Sequence, residues 1–208
     1  VTTSNGNSKV KPYFKIDGKW VKNFTIDKRS IFTKSSSIWY NLRKRCNNFG
    51  SVKNPAYRDV WCSENFEDFQ YFAEWCQHQK GYFEEGWELD KDILFEGNRF
   101  YSEDNCVFVP QYLNSLLVKP RSKGSKFLLG TFPIAESKLI KACIQNNGNL
   151  EYLGCFKTQE EAHIKYLERK SEICLEMLES LKNSAIDERV LLALSNLSKN
   201  YLIKAKGE

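Results

Sequence analysis

The segment from Glu88 to Asn114, ELDKDILFEGNRFYSEDNCVFVPQYLN, constrains the chain most. It sets three aspartates, a lysine, a glycine and several asparagines within the length of one hairpin and the start of one helix, a composition costly in a core and suited to a cation. Asp90 and Asp92 stand one residue apart, so on an extended strand both side chains share a face where hard oxygen ligands can converge on a divalent ion. Gly97 allows a tight turn. Ser102, with Asn105 three residues on, reads as the cap of a helix or helical turn that carries Asn105.

Strand, turn, strand and short helix with polar residues facing the strands is the outline of a ββα-metal site. The run Leu89-Asp90-Lys91-Asp92, then Gly97-Asn98, then Tyr101-Ser102-Glu103-Asp104-Asn105-Cys106 resembles the HNH-type proteins of tailed bacteriophages. Upstream, Trp39 to Cys46, Asn54 to Tyr57, Val60-Trp61-Cys62, Phe66, Phe69, Phe72 and Trp75 fit the same pattern, so the resemblance covers residues 37 to 117. It implies a metal-dependent DNA endonuclease-like protein, working in the cytoplasm of an infected bacterial host. Mg²⁺ or Mn²⁺ would be held by Asp90 and Asn105, with Asp92 as a further ligand, and Asn98 would serve the catalytic centre.

In such sites a histidine at the end of the first strand is the general base, and by the pattern that position falls at or beside Lys91. The two histidines, His78 and His163, both lie outside the hairpin. A protonated lysine neutralises a phosphate but is a poor base near neutral pH unless burial lowers its pKa. Cleavage therefore needs a cation-activated water, a base from elsewhere, or a lysine of shifted pKa. The alternative is a scaffold of this shape that binds nucleic acid or protein without cutting.

The charge distribution supports a nucleic-acid partner. The net charge is +5, but residues 1–58 hold 13 Lys/Arg against 2 Asp/Glu, residues 59–110 hold 3 against 13, and the remainder 15 against 11. Carboxylates that collect a cation, bracketed by cations that hold phosphates, suit a metal-dependent protein on double-stranded DNA. Packing of the basic part on the acidic middle would give the same partition. With 208 residues and 41% hydrophobic content the chain can bury a core, as one domain or two. No run approaches a membrane span, and VTTSNGNSKVK lacks the apolar core of a signal peptide, so no membrane partner is expected. The first residue is Val1 rather than Met, which suggests residues before the numbered chain.

Seven cysteines at irregular spacing argue for a reducing compartment rather than a disulfide framework. Cys46, Cys62 and Cys106 occupy places where the resembled phage proteins often carry cysteine, which makes them candidate ligands of a structural zinc; buried free thiols are the other reading.

Residues 1–36 form a basic segment in which Tyr13 to Val21 reads as two strands joined at Asp17-Gly18. Residues 37–118 form the HNH-like module. Within it Ser37 to Cys46 is expected to be helical, with Arg43, Lys44 and Arg45 in the last turn, placed for the helix dipole and for phosphate. The aromatic spacing predicts one helix from Asn65 to His78, its rings in the core and His78 at its end.

Lys119 to Lys126 is a basic linker. Beyond it, alternation over Phe127 to Ile134, Leu139 to Ile144 and Leu150 to Phe156 predicts three antiparallel strands, with a turn at 146–149. A long helix follows, opened by a Thr158/Glu161 capping box. Gly130, Ile140 to Ile144, Tyr152 to Phe156, Thr158 to Ala162 and Tyr166 are similar to the AP2-like DNA-binding domains that accompany HNH modules. The likeness continues through Ile173, Leu181, Ile186, Val190 and Leu194 as a terminal helical extension. It implies a sheet on DNA; by alternation Phe132, Lys141, Cys143, Gln145 and Tyr152 point outward, and backbone contacts are expected from Lys123, Lys126, Lys138 and Lys141. The expected class is therefore α+β: a ββα-metal module, then residues 127–208 as sheet, long helix and helical extension.

Overall fold

A computed structural model describes residues 13–16, 19–22, 25–26, 29–46, 59–117 and 127–207. The chain is a mixed α+β protein. Its first elements are two antiparallel ribbons, β1 (Tyr13–Ile16) with β2 (Lys19–Lys22) and β3 (Thr25–Ile26) with β4 (Arg29–Ser30). Helix α1 (Ile31–Cys46) begins six residues before the expected Ser37.

Strand β5 (Trp61–Cys62) precedes α2 (Glu64–Glu67) and α3 (Phe69–Gln77). The expected single helix is divided at Asp68, which leaves helical geometry at φ −84, ψ 118. The reason is local: Asp68 Oδ1 accepts from the amides of Gln70 and Tyr71 at 2.7 and 3.0 Å, satisfying donors that open a new helix. His78 is the C-cap of α3, and its Nδ1 lies 2.8 Å from the Glu74 carbonyl oxygen.

Next comes β6 (Trp87–Asp90), then β7 (Phe100–Tyr101), which pairs in parallel with β5. Strand β8 (Val107–Pro110) pairs antiparallel with β6, Asp90 opposite Val107 and Trp87 opposite Pro110, and runs into α4 (Gln111–Leu117). Ser102 to Asn105 is a single turn, closed by Ser102 O accepting from Asn105 N and Cys106 N.

In the C-terminal part the second and third expected strands form as read, while the first shortens from Phe127–Ile134 to three residues because the chain turns at Gly130, at φ 78. Strands β9 (Thr131–Pro133), β10 (Ile140–Asn146) and β11 (Asn149–Phe156) form one antiparallel sheet of order β11-β10-β9. Asn147 and Gly148, both at positive φ (46 and 82), make the tight turn between β10 and β11, as twisted hairpins require. The capping box of Thr158 and Glu161 opens α5 (Gln159–Leu181), and Asp187 caps α6 (Glu188–Lys206).

Two apolar clusters meet at β8. Phe108 belongs to one, with Leu42, Phe66, Phe72, Tyr82, Tyr101 and Cys106. Val107 and Val109 face the other, with Ile93, Leu113, Ile144 and the α5 and α6 residues Ile173, Leu181, Val190 and Leu194. Alternate residues of one strand thus enter opposite cores, as in strands buried on both faces. Ser171 and Ser198 hydroxyls, buried and 2.7 Å apart, join α5 to α6. No helix among the described residues is long and apolar enough to cross a membrane.

Candidate functional site

The chain turns out of β6 at Asp90 because the aspartate binds its own backbone. Asp90 Oδ1 accepts from the amides of Asp92 and Ile93 at 2.8 and 2.7 Å, an Asx-type closure that ends the strand. Asp92 therefore lies in a bend, and the residue that shares a strand face with Asp90 is Glu88. The remaining loop is held from its far end by Asn98. Its Nδ2 donates to the carbonyls of Lys91 and Phe100 at 2.9 and 2.8 Å, while its Oδ1 accepts from Phe100 N at 2.9 Å. Lys91 completes the closure: its Nζ donates to both Asp92 oxygens at 2.8 Å and to the Asn98 carbonyl.

This loop forms one wall of a cleft of about 810 Å³ between α1, β6 and α4. Asp90, Lys91, Asp92 and Asn98 all line it. Asn105 is not among its lining residues. Two lining residues that the sequence pattern left unmarked are Glu88 and Asn114, the latter on α4, with Asn114 Nδ2 donating to Glu88 Oε2 at 3.3 Å. An Asn inside a short helix, where it is a weak helix former, is the signal that could have drawn attention to it.

Asp90 is buried, and that burial raises its carboxyl above the ordinary aspartate value, with the Ile93 and Asp92 amides acting in the opposite direction. Its Oδ2 takes no hydrogen bond from the described residues, so one carboxylate oxygen is fixed and the other is left for a ligand. Asn114 Oδ1 is similarly without a donor among them. These two oxygens and the carboxylates of Glu88 and Asp92, all in the cleft lining, are hard donors of the type that divalent cations take. Among the described residues no three His, Cys, Asp or Glu side chains are grouped as a ready metal site.

The cationic residues fall into several places. Arg45 lines the cleft, donating to the Tyr101 hydroxyl at 2.9 Å, and Arg99 at the rim pairs with Asp59 at 3.4 Å. Burial pushes Tyr101 up to about 12. Arg43 turns to the other side, donating to Glu67 Oε1 at 3.0 Å and to Cys62 Sγ at 3.5 Å. Lys44 is exposed. Lys123 and Lys126 lie outside the described residues.

On the C-terminal sheet the register aligns Phe132 with Lys141 and Lys141 with Cys155; Cys143 faces Tyr152 and Gln145 faces Leu150. Phe132, Leu150 and Tyr152 remain 45%, 66% and 64% exposed, so this face of the sheet is open. Lys141 Nζ lies 5.8 Å from the Phe132 ring centroid, Lys138 is exposed, and the Tyr152 hydroxyl is 2.9 Å from Cys155 Sγ. Cys143 is buried.

Of the candidate zinc ligands, Cys46 and Cys62 are half-buried, with Cys62 Sγ facing Arg43, whereas Cys106 is fully buried. Neither histidine reaches the cleft: His163 Nδ1 lies 2.8 Å from the Leu129 carbonyl oxygen and stacks on Tyr166. In comparisons with known proteins, no family model, no curated protein and no solved structure matches the chain.

Proposed function

We propose that the chain is a metal-dependent, HNH-type DNA endonuclease-like protein of the kind found in tailed phages. In this reading it binds duplex DNA through basic surface around the cleft and acts on phosphodiesters beside Asp90. One observation carries the reading: Asp90 ends the first strand of a strand-strand-helix unit and shares a cleft with Lys91, Asp92 and Asn98 of its loop and Asn114 of its helix. The open sheet face with Lys138, Lys141 and Tyr152 is a second, AP2-like contact with DNA in the same proposal.

The oxygen donors that line the cleft support the choice of a divalent cation in this reading. Asp90 Oδ2 and the Asn114 amide oxygen would hold it, with Asp92 and Glu88 adding negative charge and Asn105 remaining a ligand only of the sequence pattern. Bound Mg²⁺ or Mn²⁺ would neutralise phosphate charge and make a water more acidic. The chain supplies orientation. The two amides on Asp90 Oδ1 set the plane of the carboxylate, and Asn98 keeps the loop closed at the mouth of the cleft. Arg45 and Arg99 provide the guanidinium donors that suit a phosphodiester. Lys91 acts as a cation toward phosphate.

A second reading, binding without cleavage, is favoured by the absence of any histidine from the cleft lining and by the engagement of Lys91 with Asp92 and Asn98. Nicking of supercoiled plasmid in Mg²⁺ or Mn²⁺, by the wild type and by Asp90→Asn, separates the two. Nicking that the substitution abolishes while DNA binding persists supports the first reading. Binding without nicking in either metal supports the second. Affinity should fall with salt, log affinity against log salt gaining roughly −0.9 per neutralised phosphate. A flat response would remove DNA as the partner.

A further inference from the structure

We propose that Tyr101 is a positioning residue: set in the wall of the cleft, it fixes the Arg45 guanidinium where a phosphodiester oxygen of bound DNA meets it. The inference rests on the DNA reading of the cleft and adds how one of its cations is held ready.

The tyrosine is anchored from both ends. Strand β7, which carries it, pairs with β5 so that Tyr101 stands opposite Cys62, and the Ser63 amide donates to the Tyr101 carbonyl at 2.9 Å. Its side chain is 2% exposed and belongs to the cleft-side core with Leu42, Phe66 and Phe108. A ring enclosed in this way loses its rotamer freedom on folding rather than on binding.

Helix α1 brings the arginine to that ring. Leu42, three residues before Arg45, is buried in the same core, so the helix face that enters the core also carries Arg45 toward Tyr101. The Arg45 side chain is half-buried, lines the cleft, and donates its Nη1–H to the Tyr101 hydroxyl at 2.9 Å. A phenol is uncharged near neutral pH, so this bond sets the direction of the guanidinium without cancelling its charge. The guanidinium is a rigid planar fork, and fixing one N–H fixes the plane of the others. The cost of ordering a long side chain on phosphate is thereby reduced in advance.

The face of the same ring meets a second cation. Lys91 Nζ lies 5.6 Å from the Tyr101 centroid, within cation–π reach. Tyr101 therefore touches two cations of the cleft, one through its hydroxyl and one through its ring. Tyr101→Phe separates them, since it keeps the ring, its core packing and the Lys91 contact and removes only the acceptor for Arg45.

The test is a double-mutant cycle on the binding of a labelled short duplex, read by fluorescence anisotropy over a salt series without divalent metal, so that the duplex stays intact. Arg45→Ala should weaken binding roughly tenfold at low salt and make the slope of log affinity against log salt less steep by roughly 0.9, the loss of one phosphate contact. Tyr101→Phe should weaken it roughly threefold, the effect of an arginine that must be ordered on binding. The double variant should bind no more weakly than Arg45→Ala alone, because a hydroxyl that acts through Arg45 has nothing left to position. Arg45→Lys, which keeps the charge and loses the fork, should resemble Tyr101→Phe. Additive losses in the double variant would make Tyr101 merely structural and overturn the assignment. So would wild-type affinity in Tyr101→Phe or Arg45→Lys, or a Tyr101→Phe chain that circular dichroism shows to be unfolded. Duplex binding that Arg45→Ala leaves unchanged would overturn it while the DNA reading stands. A wild type that binds no duplex even at low salt would instead remove the DNA reading, and this inference with it.

Discussion

The loop from Asp90 to Phe100 and the sheet β9–β11 both carry residues that the sequence marks for nucleic acid, yet they hold them differently. In the loop three polar side chains are bonded within the loop itself: Asp90 to two amides, Asn98 to three backbone groups, Lys91 to Asp92 and the Asn98 carbonyl. On the sheet, Phe132, Leu150 and Tyr152 stand open while the opposite face packs on α5. Loop polarity thus goes first to shaping a cleft, and a ligand there meets only the valences left over. A ligand on the sheet meets whole side chains.

The sharpest way to break this comparison is to separate the two regions energetically. Phe108→Ala removes a fully buried ring from the cleft-side core and should cost about 3–5 kcal/mol, while Leu194→Ala in the α5/α6 core should cost about 2–5 kcal/mol. Because β8 feeds both cores, urea unfolding followed by tryptophan fluorescence and by circular dichroism should give one coincident transition in each variant. Two resolved transitions would mean that the halves are independent.

Glycine substitutions come next in size. An added Cβ at Gly130 would lie 2.0 Å from Tyr166 Cδ2, and the residue sits at φ +78, so Gly130→Ala should cost roughly 2–4 kcal/mol from overpacking and backbone strain together. Gly97, at φ +77 with nothing within 4 Å of an added Cβ, should lose only the backbone part, roughly 1–2 kcal/mol. Equal midpoint shifts in thermal melts of the two variants would contradict the close approach of Gly130 to Tyr166.

Asn98→Ala tests the loop itself. It strips three side-chain hydrogen bonds from a half-buried clasp and should cost roughly 1–3 kcal/mol. Hydrogen exchange should speed in residues 91–100 and stay unchanged in β10 and β11. Uniform acceleration throughout the chain would show that Asn98 supports the whole fold rather than the loop.

The sheet and long helix were legible because their signals are local: the Asn147-Gly148 turn, the Thr158/Glu161 box, and the apolar positions of the helix, of which Ile173 and Leu181 enter one core. The cleft was legible only in part. Asp90, Lys91, Asp92 and Asn98 do converge, but Asn105 closes a turn outside the lining, and Glu88 and Asn114 join through pairing of β6 with β8, which no spacing in one segment reveals. The break at Asp68 was written in the sequence as a capping residue, hidden among aromatics whose helical period runs through it. Arg45 illustrates the same limit: three consecutive cations end α1, and only long-range packing decides that Arg45 faces the cleft while Arg43 faces Glu67 and Cys62.

The smallest expected effect is a slope with pH, and it isolates Asp90. Burial raises its folded-state pKa above the unfolded value, so the folded protein holds that proton over a range where the unfolded chain has released it. Stability from this group is therefore fully present below the unfolded pKa and declines as pH rises through the folded one, the reverse of the usual salt-bridged aspartate. Asp187 on the C-terminal side supplies the contrast: burial acts to raise its pKa, but the Arg189 side-chain and backbone hydrogen bonds outweigh it and hold the carboxyl below its ordinary value, so its contribution is lost as pH falls. Asp90→Asn keeps an oxygen for the Asp92 and Ile93 amides and removes the charge. Its stability relative to wild type, read from urea midpoints between about pH 3 and about pH 7, should rise with pH. Asp187→Asn should fall behind wild type over the same interval. Parallel wild-type and Asp90→Asn curves would mean that the carboxylate is solvated or already compensated, and Asp90 would then lack the buried, half-satisfied character on which a cation site in the cleft depends.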